Sequence, residues 1–394
     1  MKVVFLYLAQ LHQVLHTFPI AMDMARSAPD IEVHLAAATR VHLDYMRELA
    51  KLYPGADVAY DLLYFPAPVR GWMRATQRTV SPKKLALLLN LRYLRGFDGI
   101  VVPERTSLFL RSFDMKGTKL IWTGHGAGDR ESGYTENVGA FDFVLLAGDK
   151  LVDRHKRLGN IREGGYGIGG YAKFDLVEKL TASRPPLFDN GRKTVVYNPH
   201  FWPSLSSWHR IGFQVLDYFA QSREYNLIFA PHLRLFDPPR AEKYAPFEKY
   251  RGLDHMKIDL GSTNSIDMTY TLGADIYLGD VSSQIAEFML RPRPAVFLNT
   301  LHVDWRDDPN YRFWQLGVVT DGVEGLGKAL AEAVETHPAF EEKQRAYFEE
   351  TYQLRPGEPS APRGAAVIAD YLRRQGKRGG GALTIPTRPE SLHG

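Results

Sequence analysis

Short apolar runs alternate with longer mixed stretches along most of this chain. Val3 to Leu8, Glu32 to Ala38, Gly99 to Pro103, Lys119 to Trp122 and Phe143 to Ala147 read as strands. Between the first pairs, apolar residues recur at helical spacing from about Val14 to Ser27 and again through Tyr45 and Leu49. Strands that are apolar without alternation are covered on both faces, and strands separated by helices build a parallel sheet. The N-terminal half is therefore expected to be α/β.

Turn residues then cluster from Thr181 to Arg192, including Arg184-Pro185-Pro186 and Asp189-Asn190-Gly191, at the density of a linker. Beyond it the pattern restarts: a strand at Lys193 to Tyr197, a helix from about Ser206 to Ser222, and strands at Asn226 to Ala230, Ala274 to Leu278 and Ala295 to Leu298. A helical region runs from Val323 to about Gln353, and Ala361 to Gln375 reads as a last helix. The expected organisation is an N-terminal domain over 1–180 and a second α/β domain over 193–335, facing each other across a cleft. Helices over 336–375 are free to pack back on the first domain, and the Gly-rich tail 376–394 is too poor in apolar residues to pack.

Length agrees, since 394 residues exceed one ordinary core. A net charge of +4, dispersed along the chain, argues against nucleic acid but tolerates an anionic substrate. There is no cysteine, which removes disulfides, thiolate catalysis and Cys-ligated metals. The apolar opening is broken by Gln10 and His12 and lacks a small-residue cleavage site, so it reads as a buried strand rather than a leader; with no run long enough to span a bilayer, the cytoplasm is the expected compartment. The stretch 78–95 sets Lys83, Lys84, Arg92 and Arg95 among six leucines. Such a stretch suits peripheral contact with an anionic membrane, although packing of its leucines on the sheet is the commoner fate.

Chemistry collects in loops directly after strands, where open α/β sheets bind ligands. Asp280-Val281-Ser282-Ser283 precedes a helix, and free N–H groups with neighbouring hydroxyls favour a diphosphate there, although an ordinary N-cap explains the same residues. Three further loops carry His125, His200 and His232. His125, between Gly124 and Gly126, is placed to take a proton from an acceptor hydroxyl or else to brace the glycine turn. His232 lies in the cradle domain and suits stabilisation of a departing diphosphate. No residue spacing marks a metal site, and no cofactor is expected.

The order of the His125-Gly126 loop, the Gly170-Tyr171-Ala172-Lys173-Phe174-Asp175 turn, the loop from Tyr197 to Pro203, Pro231-His232, and Asp280-Val281-Ser282-Ser283 followed by Glu287-Phe288 and Arg291-Pro292 resembles the CDP-glycerol glycerophosphotransferases of teichoic acid and capsule synthesis. The resemblance covers about Ile121 to Leu298. It implies a GT-B fold of two Rossmann-like domains and a transferase that moves a polyol phosphate from a CDP-alcohol to a glycan or lipid-linked acceptor, releasing CMP. His125 falls on that family's base and His232 on its second histidine. Asp280, Ser282 and Ser283 fall on its phosphate loop. Ser262, Thr263 and His200 are expected on the donor side, and Gly124, Gly126, Asp129 and Arg130 on the acceptor side. Gly126-Ala127-Gly128-Asp129-Arg130-Glu131 replaces the family's usual Gly-Thr-Pro-Leu-Lys, which leaves room for a different acceptor. A sugar-nucleotide glycosyltransferase or epimerase, and a non-catalytic binder, are the rival readings.

Overall fold

The computed structural model describes residues 1–76, 80–128, 134, 136–181, 184–237 and 240–377. Within them seven strands form a first sheet: β1 Lys2–Tyr7, β2 Glu32–Ala37, β3 Ala59–Leu62, β4 Gly99–Val102, β5 Lys119–Trp122, β6 Phe143–Leu146 and β7 Tyr166–Ile168, in the order β3-β2-β1-β4-β5-β6-β7. Six form a second: β8 Thr194–Asn198, β9 Asn226–Phe229, β10 Met256–Ile258, β11 Ile276–Gly279, β12 Ala295–Leu298 and β13 Val318–Thr320, in the order β10-β9-β8-β11-β12-β13. Every pairing is parallel. Central strands are buried along their length, as parallel strands between helical layers must be, whereas the edge strands β3, β7 and β13 are only partly covered.

The helices used below are α1 Val14–Ser27, α2 Arg40–Ala50, α3 Lys83–Leu89, α4 Asp149–Arg157, α5 Lys173–Thr181, α6 Trp208–Gln221, α7 Gln284–Phe288, α8 Leu326–Tyr352 and α9 Ser360–Lys377. The chain crosses between domains more than once. Helix α8 begins against β12 and β13 and ends against α4, running without a break through residue 335. Its last turn comes so close to Gly148 that a Cβ there would lie 2.6 Å from the Thr351 carbonyl oxygen. Helix α9 then packs on α1, α5, β6 and β7. It includes Gly376 and Lys377, which the sequence assigns to the tail; 378–394 lie outside the described residues. One apolar cluster runs from Val4 and Ile100 through Tyr171, Phe174 and Tyr352 to Ala286, Phe288 and Phe297, so the two cores meet beneath the cleft.

The stretch 78–95, of which 78 and 79 lie outside the described residues, does not make one amphipathic helix. It forms α3 and a single turn at Leu91–Leu94. Between them the Asn90 side chain bonds both the N–H and the carbonyl of Tyr64, at 2.8 and 3.0 Å. Leu87 and Leu94 are buried and Leu88 is exposed. Among the described residues no helix is long and apolar enough to cross a membrane.

Candidate functional site

In each sheet the strand order reverses once, between β1 and β4 and between β8 and β11. Loops leaving strands on opposite sides of such a point part and open a crevice. The crevice is thus walled by the loops after β1, β4 and β5 on one side and after β8, β9 and β11 on the other.

His125 follows β5. Its Nδ1 lies 2.7 Å from the carbonyl oxygen of Pro103, which can only accept, so Nδ1 carries the proton and Nε2 is left with a lone pair. The residue keeps an exposed surface toward the crevice, while protein packed around the loop thins its solvation. That desolvation holds its pKa below the ordinary histidine value, against the opposing pull of the Pro103 carbonyl and Glu104. At neutral pH the ring is a neutral base. Its loop is braced by Lys150, whose Nζ donates to the Ala127 carbonyl at 3.1 Å, and by the Tyr134 hydroxyl, which donates to the Gly128 carbonyl at 3.1 Å. Gly124 takes the left-handed conformation, φ +68°, that glycine adopts freely. Asp129 and Arg130 lie outside the described residues.

Across the crevice the arrangement is reversed. The Nδ1 of His232 accepts the Arg234 N–H at 3.2 Å, and that of His200 accepts the Trp202 N–H at 3.1 Å. In the neutral ring each therefore carries its proton on Nε2 and can donate from there. The two rings are 5.5 Å apart, with Phe201 against both and the Arg234 guanidinium 4.1 Å from the Phe201 ring centre. Trp208, by contrast, stacks on Phe229 and Phe247 as part of the core.

Asp280 holds this side together. Its carboxylate accepts the N–H groups of His200 (2.9 Å), Ser207 (2.7 Å) and Val281 (2.6 Å) and the Ser207 hydroxyl (2.9 Å). With both oxygens occupied, Asp280 shapes the loops and leaves ligand contact to its neighbours. Ser282 is fully buried and accepts the Gln284 N–H at 3.5 Å, whereas Ser283 is exposed to the crevice. Helix α7 has five residues, so any anion site there draws on Ser283 and local N–H groups and little on a macrodipole. Ser283 faces the histidine loop directly: a Cβ on Gly128 would lie 3.1 Å from its Cβ. Ser262 and Thr263 open an exposed turn after β10, fixed by Asp259, which accepts the N–H groups of Gly261 and Ser262 and the Tyr270 hydroxyl. The Gln284 amide reaches the Ser265 carbonyl at 3.5 Å, which ties this turn to α7.

Two features are not visible in the sequence. Glu287, which reads there as a hydroxyl binder or a solvent-facing residue, is buried and accepts from Lys173 Nζ at 2.7 and 2.8 Å and from the Tyr171 hydroxyl at 2.7 Å. This ion pair joins the two domains one turn behind Ser283. Second, His12 and His16, from the loop after β1 and the start of α1, complete a cluster with His125. Ring centres are 5.7 Å (His12–His125), 6.4 Å (His16–His125) and 6.4 Å (His12–His16) apart. The Nδ1 atoms of His12 and His16 are buried without a hydrogen-bond partner. Burial drives both well below the ordinary histidine range, with neighbouring cationic groups adding to it. In the sequence His12 reads only as an interruption of an apolar run, although it stands where the strand-end rule would look. Among the described residues no three His, Asp or Glu converge on a metal position.

No protein-family model matches the chain, and no curated protein sequence matches it. Solved structures do resemble it. Wall teichoic acid polymerase TagF superposes with a TM-score of 0.60 at 13% identity, over 95% of this chain and 89% of that one. UDP-GlcNAc 2-epimerase from Neisseria meningitidis, bound to UDP-GlcNAc, gives 0.59 at 12% identity, over 95% of this chain and 100% of that one. A TagF variant with a histidine replaced by asparagine, soaked with CDPG, gives 0.59 at 13% identity over 95% and 89%. At such identities the likeness carries the fold alone: the protein has the GT-B fold, two parallel-sheet α/β domains facing one cleft.

Proposed function

We propose that the protein is a transferase that moves a glycerol-phosphate-type group from a CDP-alcohol to an acceptor hydroxyl, releasing CMP. The observation that carries this reading is the opposed tautomers of His125 and His232 on the two walls of a cleft closed at Ser283. The acceptor O–H gives its proton to Nε2 of His125 while its oxygen attacks the β-phosphorus. The bond from that phosphorus to the bridging oxygen breaks, and CMP leaves with the electron pair. His232 donates from Nε2 to the oxygen on which charge collects, with Ser283 and the aromatic set at His200 and Phe201 on the nucleotide side. A base and a donor fixed in advance act by position and electrostatics, without a covalent enzyme intermediate. The order of motifs that resembles the CDP-glycerol glycerophosphotransferases supports the donor, as does the TagF fold with its CDPG soak. A glycan or lipid-linked acceptor belongs on the His125 side, and residence in the cytoplasm, with or without contact at the membrane face, fits such an acceptor.

The test is a thermal-shift panel of CDP-glycerol, CDP-ribitol, CDP, UDP-sugars and CMP-sugars, followed by a CMP-release assay. A ligand at about 100 times its Kd adds about 2.7 kcal/mol of stability, a clear rise in Tm. Selective stabilisation by CDP-alcohols is expected. Stabilisation by a UDP-sugar alone would transfer the site to sugar-nucleotide chemistry.

A further inference from the structure

His12 stands beside His125, on the wall of the crevice opposite the loop that carries His232. Its ring centre is 5.7 Å from that of His125. In an in-line phosphoryl displacement the attacking and leaving oxygens lie at opposite ends, and the non-bridging oxygens occupy the middle. Among the described residues, the charged groups that act on His12 are bases: His16 from α1, His125 from the loop after β5, His232 from the loop after β9, Lys83 from α3 and Lys173 from α5. Among the described residues the nearby carboxylates are taken. Glu287 is bound to Lys173 and Tyr171, and Glu104 accepts from the N–H groups of Thr106 and Ser107 and from the Ser107 hydroxyl. The Nδ1 of His12 is sealed from the crevice without a hydrogen-bond partner, which leaves Nε2 as the ring atom that can meet a ligand, and among the described residues this basic cluster has no unpaired acid beside it, so the place suits an anion.

We propose that His12 is a third catalytic histidine, which donates a hydrogen bond to the non-bridging oxygens of the phosphoryl group in transit between His125 and His232. The proposal rests on the transferase reading. His12 keeps its proton throughout: the acceptor's proton ends on His125, the new P–O bond forms as the bridging one breaks, and the electron pair leaves with CMP.

The experiment compares wild type, His12→Phe, which keeps ring volume without a donor, and His12→Gln, which keeps a donor. CMP release from CDP-glycerol is measured with glycerol 3-phosphate as acceptor, and inorganic pyrophosphate binding by calorimetry, with thermal melts to show that both variants fold. His12→Phe should lower kcat about 10²–10³-fold with little change in KM, and His12→Gln should recover about tenfold of it. Pyrophosphate should bind His12→Phe at least tenfold more weakly than wild type. If wild type releases CMP and His12→Phe does so at the same rate, the role of His12 falls while the transferase reading stands. If wild type releases none, transfer from CDP-glycerol to glycerol 3-phosphate falls and pyrophosphate decides: equal affinity in wild type and His12→Phe removes the anion contact, and weaker binding in the variant upholds it.

Discussion

A neutral imidazole has one proton to place, and in this cleft the backbone places it. The Pro103 carbonyl claims Nδ1–H of His125, and the N–H of Arg234 occupies Nδ1 of His232, so chemically identical side chains face each other as acceptor and donor. His125→Ala should therefore lose about 10²–10⁴-fold in kcat while CDP-glycerol still raises the melting temperature as in wild type; turnover at the wild-type rate would remove His125 from the base role. His232→Ala should weaken both donor binding and turnover. The strand-end positions of His125 and His232 were legible because each follows an apolar strand. His12 follows one too, but its loop turns at once into a helix and offers neither Gly nor Pro as punctuation. Burial, which separates Ser282 from Ser283 and fills the oxygens of Asp280, is a property of the third dimension and left no mark in the motif.

At the scale of elements, α7 carries two tasks one turn apart: Ser283 faces the crevice while Glu287 is anchored to Lys173 in the other domain. The buried pair fixes the register in which Ser283 meets the histidine loop. Removing one partner strands a buried charge, so Lys173→Met or Glu287→Leu alone should cost about 3–5 kcal/mol in urea unfolding. The double variant should cost well below the sum of the two. Strictly additive losses would show that the charges do not interact across the domains. Gly128→Ala tests the same contact from the other side, since its Cβ would press on Ser283 and should reduce donor affinity. Central strands such as β1, β6 and β8 were legible from their apolar runs, and α1 at its observed ends. The edge strands β3, β7, β10 and β13 were not, because a half-covered strand of three or four residues has no run to read.

For the molecule as a whole, the same histidines make acid a specific threat. His12, His16, His42, His125 and His155 all have pKa values lowered chiefly by burial, His155 to about 4. An unfolded chain would protonate each near 6.5, so between that value and the folded pKa the unfolded state binds more protons. Folding stability is therefore whole above about pH 6.5 and is lost as the pH falls below it, at about 1.4 kcal/mol per unit for each buried histidine that stays neutral in the fold and by less for His125, whose exposed surface is screened by solvent. Asp175 and Asp280, whose carboxyls burial pushes up, oppose this only at the acid end, where carboxylates begin to protonate. His155 alone should contribute a loss of about 1.4 kcal/mol by pH 5.5. The cleft histidines differ from His42 and His155 in one respect: an anion beside them favours their charged forms. Saturating CDP-glycerol or pyrophosphate should thus protect more at pH 5.5 than at pH 7.5, with proton uptake on binding. Melting curves at the two pH values, with and without ligand, check both claims. A melting temperature unchanged between them without ligand would show that these rings are not held neutral, and equal protection at both would show that the anion does not sit among them.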